Sequence, residues 1–231
     1  MTKAIRLEPI RTPIANMYLL MGERPVLVDT GAPGNADRIV QRLEQQGFKP
    51  HDLALILLTH AHWDHLGSAA ELRARTNAPI MLHHADLSMA QAGRQTIQPT
   101  GLDGVLMRPM FPTRFPALEP DVILDGETTL EAYGLDAHVI ETPGHTAGSV
   151  SVLLPNGDAI VADVLRGAWA WPERPARHLF ADDVPGVISS LHTLSHLPLK
   201  RVYTGHGQAF SGAALRQFVT ERYPIQAAQE V

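Results

Sequence analysis

The chain of 231 residues contains no cysteine. That absence excludes a disulfide scaffold, an iron–sulfur cluster, a thiolate zinc finger and a cysteine nucleophile together, so any metal has to sit on His, Asp or Glu. Basic residues are also short: 19 Lys and Arg against 24 Asp and Glu leave a net charge of −5. No Lys/Arg run offers the footprint that nucleic acid requires. No apolar stretch approaches the roughly 18 residues of a membrane span, and the opening Met1-Thr2-Lys3-Ala4-Ile5-Arg6-Leu7-Glu8 lacks the apolar core of an export signal. These absences describe a cytoplasmic protein with neither nucleic acid nor membrane as partner. The length fits one domain over residues 1–231, with 45% apolar residues to build a large core.

What is present is an alternation of strand and helix signals. Two apolar runs at 17–21 and 26–28, split by Gly22-Glu23-Arg24-Pro25, predict a hairpin. A helix over 36–46 follows, with Asn35 as its N-cap and Gly47 as its stop. A buried strand at 53–58, a helix at 66–76, a strand at 80–82 and a helix at 85–92 continue the β/α order. Pro99, Pro109, Pro112, Pro116 and Pro120 then interrupt residues 93–120, which read as a lid or binding loop. Strands at 122–124, 128–132, 137–141, 150–154 and 159–162 come next, the last two flanking the turn Pro155-Asn156-Gly157-Asp158. A helix at 184–194, a strand at 201–204 and a helix from Ala213 complete the chain. Two mixed sheets with helices on their outer faces are the natural packing of this α/β list.

One segment cannot be explained by packing. Thr59-His60-Ala61-His62-Trp63-Asp64-His65-Leu66-Gly67 places three imidazoles and a carboxylate just after a buried strand. Residues two apart on an extended chain face the same side, so His60 and His62 can converge on one ion. The turn into the next helix aims Asp64 and His65 at a neighbouring ion. With 12 His in 231 residues, such a pattern arises by chance on the order of 0.002 times per chain. Further donor residues end later strands beside small residues: His145 in Pro143-Gly144-His145-Thr146, Asp163 after Val161-Ala162, and His206 in Gly205-His206-Gly207. Five His and two Asp suffice for two ions of coordination four to five that share a bridge, and zinc accepts such nitrogen and oxygen donors.

These residues, with Asp29 in Val28-Asp29-Thr30-Gly31, resemble the five ordered motifs of the metallo-β-lactamase superfamily. The resemblance implies a four-layer αβ/βα sandwich with two mixed β-sheets and a metal site at one edge. It implies His60, His62 and His145 on a first metal, Asp64, His65 and His206 on a second, Asp163 bridging, and Asp29 holding the motif by hydrogen bonds. Two zinc ions per chain are expected, with iron or manganese as alternatives, and Asp64 is the residue placed closest to the chemistry. The bridging Asp usually follows Gly in this superfamily, whereas Ala162 stands here, which reads as a small change.

The implied activity is hydrolysis of an ester, thioester, lactone or related acyl bond by hydroxide generated at the metals. The Trp63 variant of the motif is similar to that of hydroxyacylglutathione hydrolases. Only 25 residues follow His206, which points to a compact hydrolase without their glutathione-holding helical domain. The alternative is a persulfide dioxygenase-like oxidoreductase with one iron on His60, His145 and Asp163. A zinc-stabilised interaction module is the remaining reading, disfavoured because structural zinc sites are closed.

Other positions have plainer readings. Trp63 is assigned to packing, and His83 and His84 to surface or capping roles. His51, His138, His192 and His196 lack convergent partners. Residues 93–120 and 166–178 are placed at the pocket rim: Met107, Met110 and Phe111 with Arg108 and Arg114 from one, Trp169 and Trp171 with Arg166, Arg174, Arg177 and His178 from the other. Such a rim suits a small-molecule substrate with an apolar body and an anionic group. Exposed aromatics would serve a homo-oligomer equally well.

Overall fold

The computed structural model of the chain describes residues 4–168 and 173–224. Trp169 and Trp171, assigned above to the pocket rim, lie outside the described residues. The first sheet runs in chain order: β1 (Arg6–Arg11), β2 (Asn16–Met21), β3 (Pro25–Val28), β4 (Leu55–Leu57), β5 (Ile80–His83) and β6 (Val122–Leu124). Its first three strands are antiparallel and its last three pairings parallel. The parallel pairings need crossovers. These are supplied by α1 (Ala36–Gln45), by α2 (Trp63–Leu66) with α3 (Ala69–Thr76), and by α4 (Leu87–Ala92) with α5 (Leu102–Met107).

The second sheet begins with β7 (Thr128–Thr129), β8 (His138–Glu141), β9 (Val150–Leu153) and β10 (Asp158–Ala162). A two-residue ribbon, β11 (Arg166–Gly167) against β12 (Pro175–Ala176), then leads to α6 (Val184–His196), β13 (Arg201–Thr204), β14 (Phe210–Ser211) and α7 (Gly212–Arg222). The spatial order is β14-β13-β10-β9-β8-β7, with β10 and β13 parallel across the α6 crossover.

Why the strands read as continuous apolar runs is visible in where alternate side chains go. Leu55 and Leu57 of β4 enter the core between the sheets with Val26, Val139 and Val152. Ile56 and Leu58 point the other way, to a core shared with Ile39 and Leu43 of α1 and Leu72 of α3. On the second sheet, Ile160 faces the inter-sheet core, while Ala159, Val161 and Val202 pack against Leu191 of α6 and Leu215 of α7. Three apolar cores therefore separate four layers, helix, sheet, sheet and helix, as expected from the resemblance. A strand covered on both faces has no polar register.

Several boundaries differ from the sequence reading. The strand β1 carries Pro9, a residue that argues against pairing. It is accommodated because β1 is the edge of its sheet, where one side of the strand makes no ladder bonds. The helix expected at 66–76 is two helices, with the break at Gly67 and Ser68. The strand expected at 128–132 stops at Thr129, and Glu131–Tyr133 close a 3-10 turn. Asn35 does occupy the N-cap position of α1, but its side chain bonds Ala32 O instead of a helix amide. The proline-broken segment 93–120 holds α5 between Pro99 and Pro109. It is fastened to the chain before α6: Arg177 bonds Asp103 at 2.8 Å and also Thr100, Thr100 Oγ1 donates to His178 O at 2.6 Å, and Ala181 N donates to Gln98 O at 2.9 Å. Among the described residues, no helix is long and apolar enough to cross a membrane.

Candidate metal centre

Four strands deliver the candidate donors to one edge of the sandwich. Beyond β4 the chain bends at Thr59 and His60 and then reaches His62, the N-cap of α2 in β conformation, which leaves the His60 and His62 rings 4.7 Å apart between centroids. The short helix α2 then turns Asp64 and His65 into the same space. His145 follows β8 through the turn Thr142-Pro143-Gly144, and His206 follows β13. At the end of β10, the pairing with β13 shifts register and Ala162 adopts a φ of +43°, which re-aims Asp163 off the sheet.

That φ corrects the reading of Ala162 as a small change. The methyl group sits in the left-handed region, where an L residue pays about 1–2 kcal/mol, whereas glycine loses roughly 0.5–1 kcal/mol through its freer unfolded chain. The net favours glycine. Ala162→Gly is expected to stabilise the metal-free protein by about 0.5–1 kcal/mol, or roughly 1–4 °C in Tm; a Tm that stays level or drops in thermal unfolding would contradict the strain.

The side chains converge as two groups around one carboxylate. Donor atoms of His60, His62 and His145 lie within 4.8 Å of one another, and so do those of Asp64, His65 and His206. His62 Nδ1 approaches His145 Nε2 at 2.9 Å, and Asp64 Oδ2 lies 3.4 Å from His206 Nε2. Asp163 Oδ2 stands between the groups, 3.9 Å from His60 Nε2, 3.5 Å from His145 Nε2, 3.4 Å from His65 Nε2 and 3.2 Å from His206 Nε2. Gly205 makes this closeness available: a Cβ there would overlap Asp163 Oδ1 and press on His65 Cε1.

Four of the five rings are oriented from behind. His65 Nδ1 pairs with Asp29 Oδ2 at 2.8 Å, His145 Nδ1 with Phe180 O at 2.9 Å, His206 Nδ1 with Ile14 O at 2.7 Å, and His60 Nδ1 with Thr59 Oγ1 at 3.0 Å. Asp29 also accepts the Thr59 amide at 2.8 Å, so one buried carboxylate ties the first motif to the second. These contacts leave the Nε2 atoms facing inward.

Two of the inward atoms, His60 Nε2 and His65 Nε2, are buried without a hydrogen-bond partner, as are His62 Nε2, whose other ring nitrogen is the one beside His145, and Asp163 Oδ1, which lies toward Gly205. A buried polar atom left unsatisfied costs about 1–3 kcal/mol, and a cluster of them around one space is the donor set a metal ion completes. The electrostatics agree. Burial, reinforced by the neighbouring imidazoles, holds His60 and His145 well below the ordinary imidazole value, so both keep a free lone pair. For Asp163 burial acts upward, but His206, His178 and His65 outweigh it and hold the carboxyl well below the usual carboxylate range. Burial acts downward on His65 and is outweighed by Asp163 and Asp29, which hold its ring well above the ordinary imidazole value.

The sequence profile of the metallo-beta-lactamase superfamily matches residues 11–206, a span that includes every one of these donors. The chain belongs to this superfamily. Among its relatives it is 30% identical to a probable metallo-hydrolase of Methanocaldococcus jannaschii over 87% of this chain and 94% of that protein. It is also 30% identical to a hydroxyacylglutathione hydrolase of Albidiferax ferrireducens, over 84% of this chain and 63% of that protein. The crystal structure of TTHA1623 in a di-iron-bound form superimposes with a TM-score of 0.67 and 27% identity, covering 91% of this chain and 97% of that one.

Around the superfamily motifs, this member adds features that sequence reasoning missed or misplaced. Asp86 is fully buried and was not singled out: it accepts from Ala61 N at 2.9 Å, Thr146 Oγ1 at 2.8 Å and Gly148 N at 2.8 Å. It thus clips the His60–His62 segment to the His145 turn. A lone Asp after His83 and His84 gives no local sign of this. His83 itself caps the turn at Ala85 and pairs with Glu141 at 2.7 Å, in keeping with its assigned role, although it is buried. His178, assigned to the rim, has its Nε2 3.2 Å from Asp163 Oδ2.

The centre opens into a cavity of about 590 Å³. Met107, Met110 and Phe111 line it as expected, and Trp63, assigned to packing, also forms part of its wall. Its cationic members are Arg11, which was not anticipated, and Arg166. Arg108, Arg114 and Arg174 do not line it, and Arg177 is engaged by Asp103 and Thr100.

Proposed function

We propose that this chain is a dinuclear metal-dependent hydrolase, with zinc as its metal, that cleaves an ester, thioester, lactone or related acyl bond. The observation that carries the reading is the position of Asp163 Oδ2, 3.2–3.9 Å from imidazoles of both donor groups. His60, His62 and His145 hold one ion, Asp64, His65 and His206 the other, and Asp163 is shared. Asp29 fixes His65 with Nε2 inward, the part that outer carboxylates play at metal sites. When bound, the two ions lower the pKa of water from about 15.7 toward 7 and so provide hydroxide at neutral pH, while also polarising the scissile carbonyl.

The rest is done by the chain. Asp64 reaches the cavity with its carboxylate held beside His206, where it orients the attacking oxygen by accepting its hydrogen. The wall of Met107, Met110, Phe111 and Phe180 takes an apolar acyl body and excludes water, and the positive charge of Arg11 and Arg166 suits an anionic group on the substrate. The name of the Albidiferax relative, hydroxyacylglutathione hydrolase, supports acyl-bond cleavage as the reaction class.

Metal analysis of purified protein, followed by a panel of acyl esters, thioesters and lactones, tests the proposal. Two divalent ions per chain and turnover on one acyl class are expected. One iron per chain with oxygen consumption would replace it by the oxygenase reading. Exchanging residues 101–116 for a short Gly/Ser connector, which keeps Thr100 and its bond to the His178 carbonyl, is expected to raise KM several-fold with both metals retained, because binding contacts remote from the reacting bond are lost. Unchanged kinetics with a smaller oligomer would instead assign the exposed Leu102, Val105, Leu106 and Met110 to self-association.

A further inference from the structure

His178 belongs to none of the motifs, yet its ring is packed among the donors, with its centroid 4.5 Å from that of His145 and 5.4 Å from that of His206. Donor atoms of His145, Asp163 and His178 lie within 4.8 Å of one another, and all three residues are buried. One carbonyl orients two of them: Phe180 O is 2.9 Å from His145 Nδ1 and 3.0 Å from His178 Nδ1. Donation of both Nδ1 hydrogens to that oxygen leaves two Nε2 lone pairs aimed at Asp163 Oδ2, at 3.5 Å and 3.2 Å. A carboxylate and an imidazole lone pair both only accept. Their approach at this distance calls for a cation between them.

The rival arrangement also has a geometric basis. Phe180 N lies 3.2 Å from His178 Nδ1, and if its hydrogen were donated there, Nε2–H would point at Asp163 as an ordinary hydrogen bond. The shorter carbonyl contact, shared with His145, which the proposed function places on the metal, favours the first arrangement. We propose that His178 is an eighth metal-binding side chain, which ligates through Nε2 the ion held by His145 and Asp163. The inference rests on the metal-centre reading above. It also joins the pocket rim to the metal, because Thr100 of the segment 93–120 bonds the His178 carbonyl at 2.6 Å.

Co(II) titration of the metal-free wild-type protein, His178→Gln and His178→Phe, against a chromophoric chelator, separates the arrangements. The glutamine amide can still donate to Asp163 but is a poor replacement for an imidazole ligand. Both variants, with far-ultraviolet circular dichroism matching the wild type, are expected to bind one Co(II) at least about tenfold more weakly and to show a displaced d–d absorption band. Wild-type affinity and spectrum in His178→Gln would overturn the proposal and leave His178 as a hydrogen-bond donor, even if the phenylalanine variant failed to fold. Uptake of a single ion by the wild type would overturn the dinuclear reading alone, since weakening of that ion in His178→Gln would still identify His178 as its ligand.

Discussion

Asp163→Asn is expected to empty both metal positions and stop turnover. The carboxylate is the common element of the two donor groups, with Oδ2 within 3.9 Å of His60 and 3.4 Å of His65. Substitution removes the negative charge that offsets two cations and replaces one oxygen by an amide nitrogen, which has no lone pair to offer. Loss of a partner outside the coordination shell already costs 10–100-fold in metal affinity, so loss of a shared ligand should exceed about 100-fold at each position. His145→Ala and His206→Ala provide the contrast, since each ring belongs to one group: the first should weaken one ion and the second the other. Metal content after dialysis against a weak chelator reads all three variants. Two firmly held ions in Asp163→Asn would show that the carboxylate is not the bridge.

Removal of the metals is expected to lower Tm by roughly 8–16 °C. Binding to the folded state alone adds RT ln(1 + [L]/Kd), about 4 kcal/mol when free metal is a thousand times Kd, and 1 kcal/mol moves Tm by about 2–4 °C in a domain of 150–250 residues. The physical source of the loss is on view at the site. Without a cation, His60 Nε2 and His65 Nε2 stay buried and unpartnered, 3.9 Å and 3.4 Å from the Asp163 carboxylate. Thermal unfolding before and after exhaustive chelation, then after metal is restored, provides the measurement. An identical Tm in all three states would separate the cluster from metal binding altogether.

How much of this was legible without coordinates differs from residue to residue. The run from His60 to His65 was readable because its geometry is local: His60 and His62 come together as expected, although the chain bends at Thr59 and His60 instead of running extended, and one turn of α2 presents Asp64 and His65. His145, Asp163 and His206 were readable as donors beside small residues at strand ends, although their convergence required the two sheets to stack. Strand positions followed the apolar runs closely, as with β13, but β1 was not among the strands read, and the tolerance of its Pro9 depends on being at a sheet edge, a property of the assembled sheet.

By itself, then, the sequence determined the candidate donor chemistry and the β/α order, since each follows from side-chain identity and short-range backbone period. Tertiary structure alone decided the rest. Asp86 reaches Gly148 across 62 residues of chain, and Phe180 O meets His145 across 35. The left-handed turn at Ala162 follows from the register in which β10 meets β13. His178 enters the centre because Phe180 O and the Thr100 hydroxyl hold it there. Such contacts form only between segments brought together by burial of three cores, and no local period in the sequence encodes which distant carbonyl or carboxylate will stand opposite a given imidazole.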